Sequence, residues 1–217
     1  MGETNSENKK QTAREIIENY NGPKVRIMEV CGTHTHEIFR LGIRKLLPEQ
    51  VELISGPGCP VCVTPVSFID EAIYLALEKG VTICTFGDLV RVPGTKMSLA
   101  GAREQGAKIR IVYSPADAEK YAKDHPEEQV TFLSVGFETT TPAGCLSVKQ
   151  AKEDGISNYS LLVANKTMPG AYEALKGSAD VFLYPGHVNA ITGTELCEEL
   201  VKEGVSGVVA GFTAKEL

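Results

Sequence analysis

The chain has 217 residues, enough for one large domain or two small ones with a proper hydrophobic core. A formal net charge of −6 and a pI of about 5.3 argue against nucleic-acid binding, which needs a basic surface. No apolar run approaches the roughly 18–20 residues that cross a bilayer, and the polar N-terminus has no signal-peptide core. These features predict a soluble, cytoplasmic protein.

The first half of the chain alternates between β-branched runs and amphipathic segments. Residues 1–11 are predicted to be a disordered tail, and Thr12 and Glu15 match a capping box that opens a first helix. Strands are predicted at residues 25–30, 51–54, 81–85 and 108–113. Apolar side chains at helical spacing predict helices between these strands, with faces formed by Phe39, Ile43, Leu46 and Leu47, and by Val66, Ile69, Ile73 and Leu77.

The second half repeats this alternation. Ser114-Pro115 opens a helix, with serine as the N-cap, and the polar stretch at 124–128 ends it. Further strands are predicted at 130–135, 159–164, 181–184 and 205–210, with helices beginning near Thr141, Pro169 and Ala190. The pattern predicts α/β domains at 12–125 and 126–217. Each is a small three-layer domain with a mainly parallel sheet flanked by helices, and the two face each other across a cleft.

Unusual residues follow the predicted strands, where parallel α/β sheets bind their ligands. Cys31 is the sharpest of them, because it lies at a strand-to-helix turn where backbone N–H groups and the helix dipole favour a thiolate. A thiolate is a soft ligand that suits iron, zinc or copper(I). His34 or His36 would favour the thiolate further if protonated, and either is a candidate ligand. The alternative is a buried cysteine that acts as a small hydrophobe.

A CxxC motif, Cys59-Pro60-Val61-Cys62, follows the second strand and a tight turn at Gly56-Pro57-Gly58. Two sulfurs at this spacing either share one metal or close a redox disulfide. Structural zinc would need a second ligand pair, which Cys31 with His34 or His36 would supply. In a reducing compartment the six cysteines favour metal or redox chemistry over structural disulfides.

For the other reactive side chains, a purely structural role is the alternative to a chemical one. Asp88 and Glu138 follow strand ends, where each is either a general acid or base or simply a helix cap. His187, in Pro185-Gly186-His187, is as compatible with a structural role as with a chemical one. The remaining cysteines, Cys84 on a strand and Cys145 and Cys197 on helices, are predicted to be packing residues.

Several of these motifs together resemble the hydrogenase maturation factor HypD family, from about residue 12 to the end of the chain. The segments that carry the resemblance are Met28-Glu29-Val30-Cys31-Gly32-Thr33-His34-Thr35-His36, Ser55-Gly56-Pro57-Gly58-Cys59-Pro60-Val61-Cys62-Val63-Thr64-Pro65, Phe86-Gly87-Asp88 with Arg91-Val92-Pro93-Gly94, Gly136-Phe137-Glu138-Thr139-Thr140-Thr141-Pro142 and Pro185-Gly186-His187-Val188.

The resemblance implies a scaffold on which the Fe(CN)2CO group of nickel–iron hydrogenase is assembled, and it leaves open whether the chain is itself an enzyme. The iron ligand would be Cys31, acting with a cysteine of a small HypC-type partner. A HypE-type protein would supply cyanide, and the hydrogenase large subunit would receive the finished group. Cys59 and Cys62 would form a redox-active dithiol, and Asp88 and His36 would lie in the family's cleft motifs as catalytic residues.

One departure from the family pattern concerns an iron–sulfur cluster. HypD proteins are usually much longer and end in a domain whose cysteines hold a 4Fe–4S cluster, whereas no cysteine follows Cys197 here. The sequence therefore predicts a shortened chain without that cluster. Two other classes stay open: a thiol–disulfide oxidoreductase that uses Cys59 and Cys62 alone, and a zinc-stabilised interaction module.

Overall fold

The computed structural model describes residues 12–217, so the predicted tail at 1–11 lies outside the described residues. Eight strands are present there: β1 (Val25–Glu29), β2 (Val51–Ser55), β3 (Thr82–Thr85), β4 (Ile109–Ile111), β5 (Val130–Ser134), β6 (Tyr159–Val163), β7 (Val181–Pro185) and β8 (Ser206–Ala210). Each lies where a strand was predicted, with bounds that differ by one or two residues.

The helices of the described chain are α1 (Ala13–Glu18), α2 (Gly32–Arg40), α3 (Val66–Glu78), α4 (Leu99–Glu104), α5 (Pro115–Asp124), α6 (Thr141–Glu153), α7 (Met168–Ala174), α8 (Gly186–Thr192) and α9 (Glu195–Lys202). Short 3₁₀ helices occur at Ile43–Lys45 and Leu89–Arg91. No helix among the described residues is long and apolar enough to cross a membrane.

The chain divides into two compact units. Unit 1 comprises the described residues up to Gly58 together with Leu175–Asn189 and Thr194–Leu217. Unit 2 comprises Cys59–Ala174 and Ala190–Gly193. Each contains one four-stranded parallel sheet with helices beside it, which confirms the predicted α/β fold class.

This division differs from the boundary predicted at residues 125 and 126. The polar stretch at 124–128 does end α5, as expected, but it connects that helix to β5 within unit 2. The late strands β7 and β8 belong to unit 1, because β7 pairs in parallel with β1. Strand pairing between distant segments is long-range information that a local composition change does not carry.

The unit 1 sheet has the order β2-β1-β7-β8, so β1 and β7 are its central strands. The chain leaves β1 towards β2 on one side and leaves β7 towards β8 on the other. Fully buried side chains on the central strands, among them Phe182 and Tyr184, form part of the core. The point between β1 and β7, where the strand order reverses, is the usual ligand-binding position of an open α/β sheet.

The unit 2 sheet has the order β4-β3-β5-β6 and buries both faces. Ile83 and Leu133 project into one apolar cluster, which contains buried residues of α3 and α4. Their neighbours Cys84 and Phe132 project into a second cluster, which contains buried residues of α5. Because successive strand residues point to opposite faces, β3 and β5 are apolar on both sides, as expected of a three-layer unit.

Two predicted helices carry clear capping signals that the structure confirms. Thr12 and Glu15 form the predicted capping box, with the Thr12 amide donating to Glu15 Oε2 at 2.8 Å and the Glu15 amide donating to Thr12 Oγ1 at 3.2 Å. Ser114 Oγ accepts from the Asp117 amide at 3.1 Å and caps α5. Side-chain caps depend on residues three positions apart, so they can be read from sequence.

Some local predictions are wrong. The helix expected to contain Phe39 and Leu47 on one buried face is interrupted, because Gly42 adopts a left-handed conformation with φ of 68°. Phe39 is consequently 82% exposed. Cys145 is exposed rather than packed, whereas Cys84 and Cys197 are buried as predicted. The helix expected near Ala190 begins earlier, at Gly186.

Candidate functional site

Each unit carries candidate residues at the point where its strand order reverses. In unit 1, Cys31 follows β1 closely and His187 follows β7, and these two strands are neighbours. In unit 2, Asp88 follows β3 and Glu138 follows β5, which are also neighbours. Parallel pairing therefore places each pair of loops at the same edge of its own sheet, the edge that binds ligands in this class of fold.

Cys31 is the N-cap residue of α2 and has extended backbone angles. Its side chain makes no capping hydrogen bond to the helix. The residue is only 7% exposed, so its thiol has little access to solvent.

The turn that follows β2 packs directly on Cys31. The Gly32 amide donates to the Gly58 carbonyl oxygen at 3.3 Å. A Cβ atom at Gly58 would lie 2.3 Å from Cys31 Cα, closer than non-bonded atoms approach. Glycine is therefore required at position 58, and the next residue of the chain is Cys59. The predicted tight turn at Gly56-Pro57-Gly58 thus has a specific purpose, which is close backbone contact with the Cys31 loop.

Buried and half-buried rings lie beyond Cys31 at the same edge of unit 1. His34 is fully buried, and its Nε2 donates to the Gly211 carbonyl oxygen at 2.9 Å. Its Nδ1 is also buried and has no hydrogen-bond partner among the described residues. The Phe212 ring contacts His34 and His187, with ring-centroid distances of 4.6 and 4.8 Å.

The environment of His187 disfavours its charged form. Burial lowers the pKa of His187 below its ordinary value of 6.5, and the nearby His34 adds to this effect. A neutral imidazole retains a lone pair for a proton or a metal. The sequence placed His187 after a strand, but Phe212 and Gly211 were not identified, since they come from the distant segment after β8.

The CxxC pair lies at the start of unit 2, in a turn before α3. Cys59 is half-buried, Cys62 is exposed, and both thiols are free. A hydrogen bond with the Cys59 side chain is the main cause that raises the pKa of the Cys62 thiol, with smaller contributions from burial and from the charge of Cys59. This hydrogen bond brings the two sulfurs together, as a CxxC pair requires if it is to close to a disulfide.

The two acidic candidates of unit 2 act as caps. Asp88 is exposed, and its Oδ1 accepts from the Leu89 amide at 3.0 Å at the start of a 3₁₀ helix. Glu138 Oε1 accepts from the Met168 amide at 2.7 Å, at the start of α7. Glu138 Oε2 is buried and has no hydrogen-bond partner among the described residues. The capping alternative thus accounts for one oxygen of each side chain, and a catalytic role for Asp88 stays a prediction.

His36 lies apart from the buried rings, because α2 turns it away from His34. Its side chain is 72% exposed, and its Nδ1 lies 3.1 Å from Glu37 Oε1. Glu37 also accepts from Arg40 Nε at 2.9 Å, and this hydrogen bond is the main cause that lowers the pKa of Glu37. The structure thus places His36 at the surface beside Glu37, and a role in catalysis stays a prediction.

Within either unit, the described residues contain no group of three or more His, Cys, Asp or Glu side chains arranged to hold a metal ion. The zinc-stabilised module stays a prediction.

Glu29 is a site residue that sequence reasoning missed. It is fully buried, lies two positions before Cys31, and receives hydrogen bonds from Ser55 Oγ at 2.6 Å and Thr35 Oγ1 at 3.0 Å. One available signal was a glutamate between the apolar residues Met28 and Val30 at the end of a strand, since a buried carboxylate needs dedicated partners.

Comparison with known proteins identifies the family. The HypD family model, described as "Hydrogenase formation hypA family", matches residues 7–217. The chain is 45% identical over 203 residues to the hydrogenase maturation factor HypD of Cupriavidus necator, covering 88% of this chain and 54% of that protein. It is 45% identical over 198 residues to HypD of Rhodobacter capsulatus, covering 89% and 52%.

The corresponding protein of Escherichia coli K12 is 44% identical over 198 residues, covering 89% of this chain and 53% of that protein. The chain thus spans about half the length of the curated relatives that it matches. The match extends over nearly all of the described residues and includes both switch-point loops and the CxxC turn. The chain therefore belongs to the HypD family of hydrogenase formation proteins.

Proposed function

We propose that this chain acts in nickel–iron hydrogenase maturation, as part of the scaffold on which the Fe(CN)2CO group is assembled and from which it is transferred. Its relatives carry the name hydrogenase maturation factor, and the chain spans about half of their length. The observation that carries the proposal is the position of Cys31. It is a helix N-cap thiol at the switch point of unit 1, held against the turn that leads into Cys59.

The iron group is the cargo of this scaffold. A Cys31 thiolate would provide one soft ligand, and the remaining positions of the iron would be occupied by the diatomic molecules and by a cysteine of a HypC-type partner. A HypE-type protein would supply cyanide. The limited exposure of Cys31 suits a group that must be protected from water, since the iron would be covered as soon as the partner is bound.

The Cys59/Cys62 dithiol would supply electrons. When two thiols close to a disulfide they release two electrons and two protons, so the pair would serve as a local two-electron donor during assembly. The hydrogen bond between the Cys59 and Cys62 side chains, which raises the pKa of the Cys62 thiol, supports this role because it brings the two sulfurs together.

Co-expression with a HypC-type partner and HypE tests this proposal. The purified complex is expected to contain iron and to show cyanide and carbonyl stretching bands in the infrared. Cys62→Ser is expected to leave some iron binding but to block transfer to the hydrogenase large subunit, whereas Cys145→Ser, a matched change at another exposed cysteine, is expected to leave both unchanged. A complex without iron and without these bands would contradict the proposal.

A thiol–disulfide oxidoreductase is the second candidate. It is favoured by the hydrogen bond between the Cys59 and Cys62 side chains, which brings two free thiols of a CxxC motif together. Reduction of insulin or glutathione disulfide by the iron-free chain, lost in Cys59→Ser, would support it. A rate no higher than that of free dithiol would refute it.

A further inference from the structure

Glu29 is a charged residue in a place where charge is costly. It ends the central strand β1 of unit 1, and it is 0% exposed. A carboxylate that is removed from water must be compensated by hydrogen bonds and by opposite charge, or it strongly disfavours folding. The residues that compensate Glu29 are therefore informative about its purpose.

Both carboxylate oxygens of Glu29 have a dedicated donor. Ser55 Oγ donates to Oε1 at 2.6 Å, and Thr35 Oγ1 donates to Oε2 at 3.0 Å. Arg44 Nη2 lies 3.7 Å from Oε1 and donates to Ser55 Oγ at 3.1 Å, so the guanidinium supplies the opposite charge. Short hydrogen bonds to an ionised acceptor are among the stronger ones in proteins.

These donors lie on the segments that surround Cys31. Thr35 is in the first turn of α2, its amide donates to the Cys31 carbonyl oxygen at 3.1 Å, and its Oγ1 lies 3.3 Å from the same oxygen. Ser55 ends β2 and immediately precedes the turn that packs on Cys31. The Gly56 amide donates to the Glu29 carbonyl oxygen at 2.8 Å. Glu29 thus connects the end of β1, the start of α2 and the turn after β2.

We infer that Glu29 is a positioning residue for Cys31, which fixes the first turn of α2 and the turn at Gly56–Gly58 around the thiol. This inference rests on the proposed role of Cys31. The geometry argues against a direct chemical role for Glu29, because both of its oxygens are occupied by donors and its side chain has no exposed surface.

The test is site-specific alkylation of the full chain, followed by mass spectrometry of the Cys31 and Cys62 peptides. Glu29→Gln removes the negative charge of this side chain, and Thr35→Val removes the hydrogen bond that Thr35 donates to it. Loss of such a bond is expected to raise local opening, and with it the alkylation rate of Cys31, roughly ten-fold. The rate at exposed Cys62 is the internal reference and is expected to stay the same.

A matched control is available in the same unit. Asp180 accepts from the Arg26 amide at 2.7 Å and from Arg26 Nη2 at 3.3 Å, near the opposite ends of β1 and β7. Asp180→Asn therefore also weakens a carboxylate hydrogen bond, but far along the strands from Cys31. It is expected to leave the ratio of Cys31 to Cys62 alkylation unchanged. Thr35→Ser keeps the hydroxyl and is expected to restore the wild-type ratio.

The outcomes separate this inference from the proposed function. If Glu29→Gln and Thr35→Val leave the ratio unchanged, or if Asp180→Asn raises it equally, Glu29 is not a positioning residue, whatever the result for iron. If the ratio rises as expected, the same variants prepared with the maturation partners are expected to retain less iron, with shifted infrared bands. A raised ratio with unchanged iron and unchanged bands would refute positioning for iron binding, and the Cys31→Ser variant then tests the iron ligand independently.

Discussion

Replacing Gly58 by alanine is expected to force apart two backbone segments at the Cys31 loop. The added Cβ would lie 2.3 Å from Cys31 Cα, 2.4 Å from its nitrogen and 2.6 Å from its carbonyl carbon. Ordinary contacts begin at 3.4 Å, so the segments must separate by about 1 Å, which no side-chain rotation can avoid. The hydrogen bond between the Gly32 amide and the Gly58 carbonyl oxygen, 3.3 Å long, would then be lost.

The energetic cost follows from these two effects. Overpacking typically costs about 1–3 kcal/mol, and the lost hydrogen bond adds about 1 kcal/mol. The expected loss is about 2–4 kcal/mol of unfolding free energy, a large part of the roughly 5–15 kcal/mol of a typical domain. Urea unfolding measures it, and a lower midpoint by about 1 M or more is expected.

Gly32→Ala is the matched control at the same contact. Its Cβ would meet only the Gly58 carbonyl oxygen, at 3.7 Å, which is an ordinary contact. Gly32 is the first residue of α2, where alanine has the better helix propensity, so this variant is expected to be neutral or slightly stabilising. A Gly58→Ala protein as stable as wild type, or a Gly32→Ala protein that is the less stable of the two, would refute the steric reasoning.

Three further predictions concern the cysteines, acid stability and a helix cap. In limited alkylation, exposed Cys62 and Cys145 are expected to react first and buried Cys84 last. The reason is that burial raises the pKa of the Cys84 thiol to about 11. Early labelling of Cys84 in the mass spectrum would be inconsistent with its place in the core. Hydrogen bonds from Thr82 and Lys108 lower the pKa of Glu128 below 4.5, so this group stabilises the fold above that pH and the contribution is lost as the pH falls through its folded-state pKa. Glu128→Gln is therefore expected to lower the unfolding free energy at neutral pH by about 1–2 kcal/mol, and this difference from wild type is expected to vanish in acid. A difference that does not depend on pH, or an equal one in the control Glu127→Gln, would count against the assignment. Ser114→Ala removes the cap of α5 and is expected to cost about 1 kcal/mol in urea unfolding, with Ser114→Asp restoring stability; an unchanged midpoint in Ser114→Ala would show that the cap contributes nothing.

The strands were predictable because each is a short β-branched or apolar run between turn residues. All eight predicted strands are present in the described chain, and both side-chain caps were identified from local spacing. The units were not predictable in this way. β7 pairs with β1 across most of the sequence, and local patterns do not specify which of several similar apolar strands become neighbours.

In the candidate site, too, the local features were predictable from the sequence and the long-range contacts were not. The position of Cys31 at a strand-to-helix turn followed from the sequence, but its burial did not, since it depends on the packing of Gly58. The partners of His34 come from Gly211 and Phe212, far along the chain. The donors to Glu29 are common hydroxyl residues, Ser55 and Thr35, whose purpose becomes visible only when the strands and α2 are brought together.

The central claim is that the Cys31 sulfur binds the iron of the group under assembly. It is tested most directly by comparing Cys31→Ser with Cys145→Ser after co-expression with the maturation partners, using iron analysis and infrared spectroscopy in the cyanide and carbonyl region. The claim predicts that Cys31→Ser contains no retained iron and shows no such bands, while Cys145→Ser matches the wild-type chain. The same iron content and the same bands in Cys31→Ser would contradict it.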